Sequence, residues 1–158
     1  FFKQKTAYEI RNCNWSSDVC SSDLGEIVLD GEDVSRLDEA SLYRVRKVCA
    51  MVFQHATLFD SMTCAENVAL PLRKHRGLTT REALDEARRR LAQVQMADFA
   101  ERYPTELGDG MRKRVAIARA LTVDPRYVLF DEPTTSLDPV SARRVDRLIR
   151  EQIGRAHV

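Results

Sequence analysis

Two adjacent carboxylates stand where an apolar segment ends. Residues 127–130 (YVLF) are all apolar, and Asp131 and Glu132 follow them directly, before Pro133. A short apolar run is typical of a strand buried in a parallel sheet, and open α/β sheets bind ligands at the carboxyl ends of such strands. There, an Asp can hold a metal ion and a neighbouring Glu can orient or deprotonate an attacking water. The pair alone is equally compatible with a strand that ends in a polar turn.

Two further segments predict the sheet that must position these carboxylates. Residues 48–53 form a second apolar run, predicted as a strand buried on both faces, with Gln54 directly after it. Residues 25–31 predict a short strand, with Ile27 and Leu29 on one face, that closes in an Asp-Gly turn. The order of segments predicts an α/β protein with a parallel sheet core and a helical insertion between the two apolar strands.

Three helices are indicated by capping residues and apolar periodicity. They span about 79–95, from Gly110 to the Asp124-Pro125 pair, and from Pro139 to about Arg150. Thr79 and Glu82 form a capping-box pattern at the start of the first helix. On its solvent side, Asp85 with Arg89 and Glu86 with Arg90 are predicted as i,i+4 ion pairs.

The helix that begins near Gly110 is a candidate anion site. It opens with residues 106–111 (ELGDGM), and its first backbone N–H groups and positive dipole end would face a ligand. Arg112, Lys113 and Arg114 follow. Two interpretations of these basic residues stay open: they lie near phosphate or acidic groups, or they are solvated.

Taken in order, three motifs resemble the nucleotide-binding domain of an ABC-type ATPase: Gln54 after a strand, ELGDGM at 106–111, and DEPTTSLDP at 131–139. The resemblance covers residues 25–152. It implies a partial P-loop NTPase domain, with a helical subdomain at about 62–122, that binds ATP and Mg²⁺.

The resemblance also implies roles for individual residues. Asp131 matches the Walker B metal-associated Asp, and Glu132 matches the catalytic Glu. Gln54 matches the glutamine that contacts Mg²⁺ and faces the membrane partner. Two further loops, the signature loop and the D-loop, would contact the nucleotide, the first on the opposite subunit of a homodimer. Their residues are Leu107, Gly108, Asp109, Gly110 and Met111 in the signature loop, and Ser136, Leu137 and Asp138 in the D-loop.

Several segments are similar to the ATPases of Mla-type lipid-asymmetry transporters. They are residues 51–63 and 66–72, GMRKRV at 110–115, and DPVSA at 138–142. This similarity implies a subunit that hydrolyses ATP and powers lipid transport, bound to a permease on the cytoplasmic face of the bacterial inner membrane. Importers of amino acids or metals share much of this pattern.

The sequence departs from the family pattern in two places. The signature loop has Gly108 and Asp109 where the family usually has Ser and Gly. Asp109 is predicted to cap the helix, because Asp is a favoured N-cap residue. It is also predicted to weaken the binding of ATP between the two subunits of the dimer. In addition, the phosphate-binding pattern G-x-x-x-x-G-K-[ST] does not occur in the chain. We therefore expect that the chain as it stands does not bind ATP in the family's manner.

The two ends of the chain read differently from the rest. Residues 1–24 and 153–158 resemble conceptual translations of sequencing-library adapters, and they are expected to be non-native. The alternative to a transporter ATPase is thus a catalytically inert fragment derived from the family, acting at most as a binding module.

Composition excludes several classes of protein. The 158 residues are 44% hydrophobic and 31% charged, with a net charge of +1, which is typical of one globular domain. Residues 25–152 contain equal numbers of basic and acidic side chains, so nucleic-acid binding is not predicted. The longest apolar run, 48–53, is far shorter than the roughly 20 residues of a membrane-spanning helix. The four cysteines show no zinc or disulfide spacing, which favours the cytoplasm.

Overall fold

The computed structural model describes residues 28–29, 31–135 and 137–155, with side chains described to residue 151. The predicted adapter-like segment 1–24, strand residues 25–27, Ser136 and the last three residues lie outside the described residues. The chain divides into two units, residues 1–47 and 48–158.

The first unit contains a hairpin followed by a helix. Strand β1 (Val28–Leu29) pairs antiparallel with β2 (Glu32–Asp33). Gly31 lies in the turn with φ +84°, a conformation that glycine adopts readily because it has no Cβ. Gly31 thus lies in the predicted turn, whereas Asp30 lies outside the described residues. Helix α1 (Glu39–Val48) follows the hairpin.

The second unit contains the parallel strands. Strand β3 (Cys49–Val52) pairs in parallel with β4 (Tyr127–Phe130), in a register that places Val52 opposite Phe130. Parallel neighbours require a long crossover, and here it consists of helices. The predicted α/β class, with a helical insertion between two apolar strands, is confirmed.

The helices of the second unit are α2 (Cys64–Arg76), α3 (Thr80–Gln93), α4 (Asp109–Leu121) and α5 (Pro139–Arg155). Two 3-10 turns, Ala97–Phe99 and Pro104–Glu106, lie between α3 and α4. Among the described residues, no helix is both long and apolar enough to cross a lipid bilayer.

Reciprocal hydrogen bonds fix the starts of α2 and α3. The Thr63 N–H donates to Glu66 Oε2 at 2.7 Å, and the Glu66 N–H donates to Thr63 Oγ1 at 3.2 Å. Thr79 and Glu82 repeat the arrangement at 2.9 and 3.4 Å, which confirms the predicted capping box. Each box satisfies backbone donors that the first helical turn leaves unpaired.

The hydrophobic core lies among α2, α3 and α4 and extends to β3 and α5. Its largest fully buried apolar side chains are Leu72, Leu91, Met96, Ile117, Leu148, Val52, Val68, Val94, Val115 and Val145. The prediction that β3 is buried on both faces is wrong. Val52 is 1% exposed, but Met51 is 44% exposed, because successive strand residues point to opposite faces and α4 covers one of them.

The ion pairs on α3 differ in part from those predicted. Arg90 Nε lies 2.8 Å from Glu86 Oε1, as expected for an i,i+4 pair. The predicted Asp85–Arg89 pair is wrong, because Asp85 pairs with Arg88 at 3.3 Å and Arg89 pairs with Glu86 at 2.6 Å. On a helix, residues three apart are as close as residues four apart, so both spacings compete for the same partners.

Candidate functional site

The carboxyl ends of β3 and β4 meet at one edge of the strand pair. The Asp131 N–H donates to the Val52 carbonyl oxygen at 3.0 Å, which continues the parallel pairing one residue beyond β4. Gln54 lies two residues after β3 and is half-buried, while Asp131 and Glu132 are exposed. The structure thus places the three residues at the same end of the two strands, where parallel sheets bind ligands.

Glu132 has an unusual backbone conformation and a well-defined set of hydrogen bonds. Its φ is +44°, in the left-handed region that non-glycine residues rarely adopt. The Thr135 hydroxyl donates to Glu132 Oε2 at 3.0 Å, and the Thr135 N–H donates to the Glu132 carbonyl oxygen at 3.2 Å. Lys113 Nζ donates to the same carbonyl oxygen at 3.0 Å. One hydrogen bond therefore orients the exposed carboxylate, and two hold the main-chain carbonyl group of the same residue.

The signature-loop residues lie at the start of α4. Leu107 is 6% exposed and belongs to the hydrophobic core, so it anchors the loop. Gly108 is the N-cap residue, and its carbonyl oxygen accepts the N–H groups of Met111 and Arg112, each at 3.0 Å. The prediction that Asp109 caps this helix is wrong. Asp109 is the first helical residue, and its carboxylate pairs with Arg112.

Gly110 brings the signature loop against the D-loop. A Cβ at Gly110 would lie 3.1 Å from Ser141 Cβ and 3.9 Å from Leu137 Cδ2, so the absence of a side chain permits this close approach. Asp138 Oδ1 accepts the N–H groups of Val140 and Ser141 at 2.9 and 3.0 Å. Of the predicted D-loop residues, Leu137 therefore lies beside Gly110, and Asp138 caps α5.

Arg119 holds the loop that follows Gln54, a contact that the sequence did not indicate. Its guanidinium donates to the carbonyl oxygens of Thr57 and Ala56 at 2.9 and 3.1 Å, and to Thr57 Oγ1 at 3.2 Å. Ala56 and Thr57 have φ values of +62° and +45°. Burial lowers the pKa of Arg119. The guanidinium thus satisfies carbonyl groups that this tight turn directs toward α4.

A buried asparagine holds the next part of the same loop. Asn67 is 0% exposed. Its Oδ1 accepts the Phe59 N–H at 2.8 Å, and its Nδ2 donates to the carbonyl oxygens of Phe59 and Met62 at 3.0 and 3.1 Å. The side chain replaces the backbone pairing that residues 59–62 would find in regular secondary structure.

The three basic residues after the signature loop have different environments. Arg112 pairs with Asp109, and Arg114 Nη1 donates to the Gln95 carbonyl oxygen at 3.4 Å. Lys113 is 3% exposed. For Lys113, the interpretation as a solvated side chain is therefore wrong, and the alternative of neighbouring acidic groups is correct, since carboxylates of Asp131 and Glu132 act on it.

The donor set at the strand ends suits Mg²⁺ in chemical terms. Asp131 offers a carboxylate and Gln54 an amide oxygen, and Mg²⁺ prefers oxygen ligands while taking its others from water and substrate phosphates. Among the described residues, no group of three or more His, Cys, Asp or Glu side chains converges as a protein cage for a metal would.

Comparison with known proteins defines the class to which this fold and these strand ends belong. The profile of the family described as ABC transporter matches residues 16–135. The chain therefore belongs to the ABC transporter family, as its motifs predicted.

Curated relatives are similar over most of the chain. It is 42% identical over 127 residues to the methionine import ATP-binding protein MetN 1 of Pseudomonas fluorescens, a match that covers 80% of this chain and 38% of that protein. It is also 42% identical over 130 residues to the methionine import ATP-binding protein MetN of Rhizobium johnstonii, covering 82% of this chain and 36% of that protein. The chain thus spans less than two fifths of the length of these relatives.

Solved structures confirm the fold. The chain superimposes with a TM-score of 0.72 and 33% identity on the dimeric, post-hydrolysis ATP-binding cassette MJ0796 bound to ADP and Pi. That match covers 84% of this chain and 59% of the other. A second dimeric structure of MJ0796, described as a bacterial ABC transporter cassette, matches with a TM-score of 0.71.

Proposed function

We propose that this chain is part of the ATP-hydrolysing subunit of an ABC transporter. One observation supports this most strongly: in a chain of this family, Asp131 and Glu132 directly follow one parallel strand, and Gln54 follows the strand hydrogen-bonded to it. Phosphoryl transfer requires a metal-holding carboxylate next to a residue that orients or deprotonates water. The strand pair supplies both on one edge.

In this proposal Glu132 is the general base. Its carboxylate is exposed at the strand end, so a water molecule can reach it, and the Thr135 hydroxyl orients it through Oε2 at 3.0 Å. Glu132 accepts a proton from the water that attacks the γ-phosphate. Asp131 and Gln54 would hold Mg²⁺, which neutralises charge on the phosphate oxygens when it is bound.

The signature and D-loop residues would serve a second copy of the subunit. Leu107, Gly108, Asp109, Gly110 and Met111 would contact the nucleotide of the partner, together with Ser136, Leu137 and Asp138. The close contact between Gly110 and the start of α5 supports this, since it places both loops together. The start of α4 presents backbone N–H groups to an anion. The dimeric state of MJ0796 supports a homodimer.

We further propose that the subunit binds a membrane permease from the cytoplasmic side. Two cargoes are candidates. The lipid-transporter similarity of residues 110–115 and 138–142 favours a phospholipid. The 42% identity to a methionine import protein favours an amino acid. ATPase activity of the purified transporter, reconstituted with its permease, separates the two: one cargo stimulates it and the other does not.

Replacing Glu132 by Gln in the transporter that contains this sequence tests the catalytic assignment. Loss of a general base should lower kcat for ATP by about 10²- to 10⁴-fold. Glu101→Gln is the matched control, because Glu101 forms only a surface pair with Arg88. A Glu132→Gln enzyme that hydrolyses ATP at the wild-type rate would refute the role of Glu132.

A further inference from the structure

A buried lysine connects the signature helix to the candidate general base. Lys113, in the second turn of α4, is only 3% exposed. Its Nζ donates to the backbone carbonyl oxygen of Glu132 at 3.0 Å. The contact joins a helix that begins at the signature loop to the residue directly after Asp131.

The environment of Lys113 explains why a charged side chain is tolerated there. Burying an ammonium group is unfavourable unless it is hydrogen-bonded and paired. Burial lowers the pKa of Lys113, and the carboxylates of Asp109, Asp131 and Glu132 act in the opposite direction. The Lys113 ammonium group therefore offsets the negative charge of these neighbouring carboxylates.

The hydrogen bond acts on a backbone position that needs support. Glu132 has φ +44°, and a non-glycine residue stays in this region only when its surroundings determine it. Lys113 Nζ and the Thr135 N–H donate to the same carbonyl oxygen, at 3.0 and 3.2 Å. Together they fix the orientation of the peptide unit between Glu132 and Pro133, and with it the direction of the Glu132 side chain.

We propose that Lys113 is a positioning residue for Glu132. By holding the Glu132 carbonyl oxygen, it keeps the carboxylate where it can accept a proton from water, and it makes that position depend on α4. A displacement of the signature helix would then move the base. This inference rests on the proposed role of Glu132 as the general base.

The test is steady-state ATPase kinetics of Lys113→Met in the transporter that contains this sequence. Methionine fills similar volume but cannot donate. Because small misplacement of a reacting group costs up to about 100-fold, kcat should fall about 10- to 100-fold. The KM for ATP should stay within about threefold, since Lys113 is not proposed to contact the nucleotide. Lys113→Arg, which keeps a charged donor, should recover much of the loss. Lys74→Met, at an exposed lysine on α2, is the matched control and should leave kcat unchanged.

A double-mutant cycle separates positioning from a merely structural role. If Lys113 acts through Glu132, adding Lys113→Met to Glu132→Gln should change the residual activity less than about twofold, because coupled residues are not additive. An equal loss in both backgrounds would overturn the proposal. So would a Lys113→Met enzyme with wild-type kcat, provided that Glu132→Gln shows its expected loss of activity. If Glu132→Gln is instead fully active, the proposed function fails first. Should Lys113→Met not fold, the same cycle is run with Lys113→Leu, which also lacks a donor.

Discussion

Removing the guanidinium of Arg119 should destabilise the second unit substantially. Arg119→Met deletes hydrogen bonds to the carbonyl oxygens of Thr57 and Ala56, at 2.9 and 3.1 Å, and to Thr57 Oγ1 at 3.2 Å. A hydrogen bond to a charged group contributes about 1.5–3 kcal/mol, so the two carbonyl contacts together contribute about 3–6 kcal/mol. Burial of the guanidinium, which lowers the pKa of Arg119, offsets part of this. We therefore expect a loss near the lower limit, about 3 kcal/mol.

The backbone conformation of Ala56 and Thr57 prevents the loop from compensating for the loss of the Arg119 guanidinium. Ala56 and Thr57 both have positive φ, and Ala56 is only 3% exposed. The carbonyl group of the buried Ala56 cannot turn toward water without a change in this turn. Relaxation of the loop would also release Gln54, so the effect should extend to the edge of the strand pair.

Urea unfolding of the 158-residue chain, followed by far-UV circular dichroism, measures this loss. With an m-value near 2 kcal/mol/M, a loss of 3 kcal/mol lowers the midpoint by about 1.5 M. Arg89→Met is the matched control, because the Arg89 side chain is 71% exposed and surface pairs contribute less than about 1 kcal/mol. Arg119→Lys should lie between the two. An Arg119→Met midpoint equal to that of Arg89→Met would refute the reasoning.

Two further outcomes test the described interior. Asn67→Leu removes the side-chain partners of the Phe59 N–H and the Met62 carbonyl oxygen. Unfolding should therefore require about 3 kcal/mol less, and the Tm measured by calorimetry should fall by about 6–12 °C; an unchanged Tm would contradict the assigned contacts. Burial raises the pKa of the Cys64 thiol to about 11. Iodoacetamide at pH 8 should therefore modify the half-buried Cys49 before Cys64, as measured by peptide mass spectrometry. Equal rates of modification at the two cysteines would contradict this.

The sequence predicted the elements whose signals are local. The apolar run at 127–130 correctly predicted β4, and the capping box at Thr79 correctly predicted the start of α3. Both signals depend only on residues that are neighbours in the sequence. Helix α2 was not predicted, although Thr63 and Glu66 carry the same capping pattern. Pro71 lies within α2 and weakened the helical signal, yet tertiary packing of Val68 and Leu72 overrides it.

Contacts at the site were predicted less well, because they depend on packing between distant segments. Lys113 and Arg119 look like surface residues in the sequence, since charged side chains are seldom buried. Their acceptors are backbone carbonyl oxygens of residues 132, 56 and 57, which carry no side-chain signal. Asp109 was expected at the cap because Asp is favoured there, but Gly108 takes that position and Arg112 draws the carboxylate away.

A single helix therefore determines the geometry at both strand ends. Near its start α4 holds the Glu132 carbonyl through Lys113, and near its end it holds the loop after Gln54 through Arg119. Val115 and Ile117, between these two contacts, are fully buried in the core, so α4 cannot shift at one contact without disturbing its packing along the length. Because Gly110 packs on Ser141, a ligand at the signature loop would act on the same rigid element. Binding there would thus affect the positions of Gln54 and Glu132 together. We therefore expect the effects of substitutions at Lys113 and Arg119 on the rate of ATP hydrolysis to be non-additive.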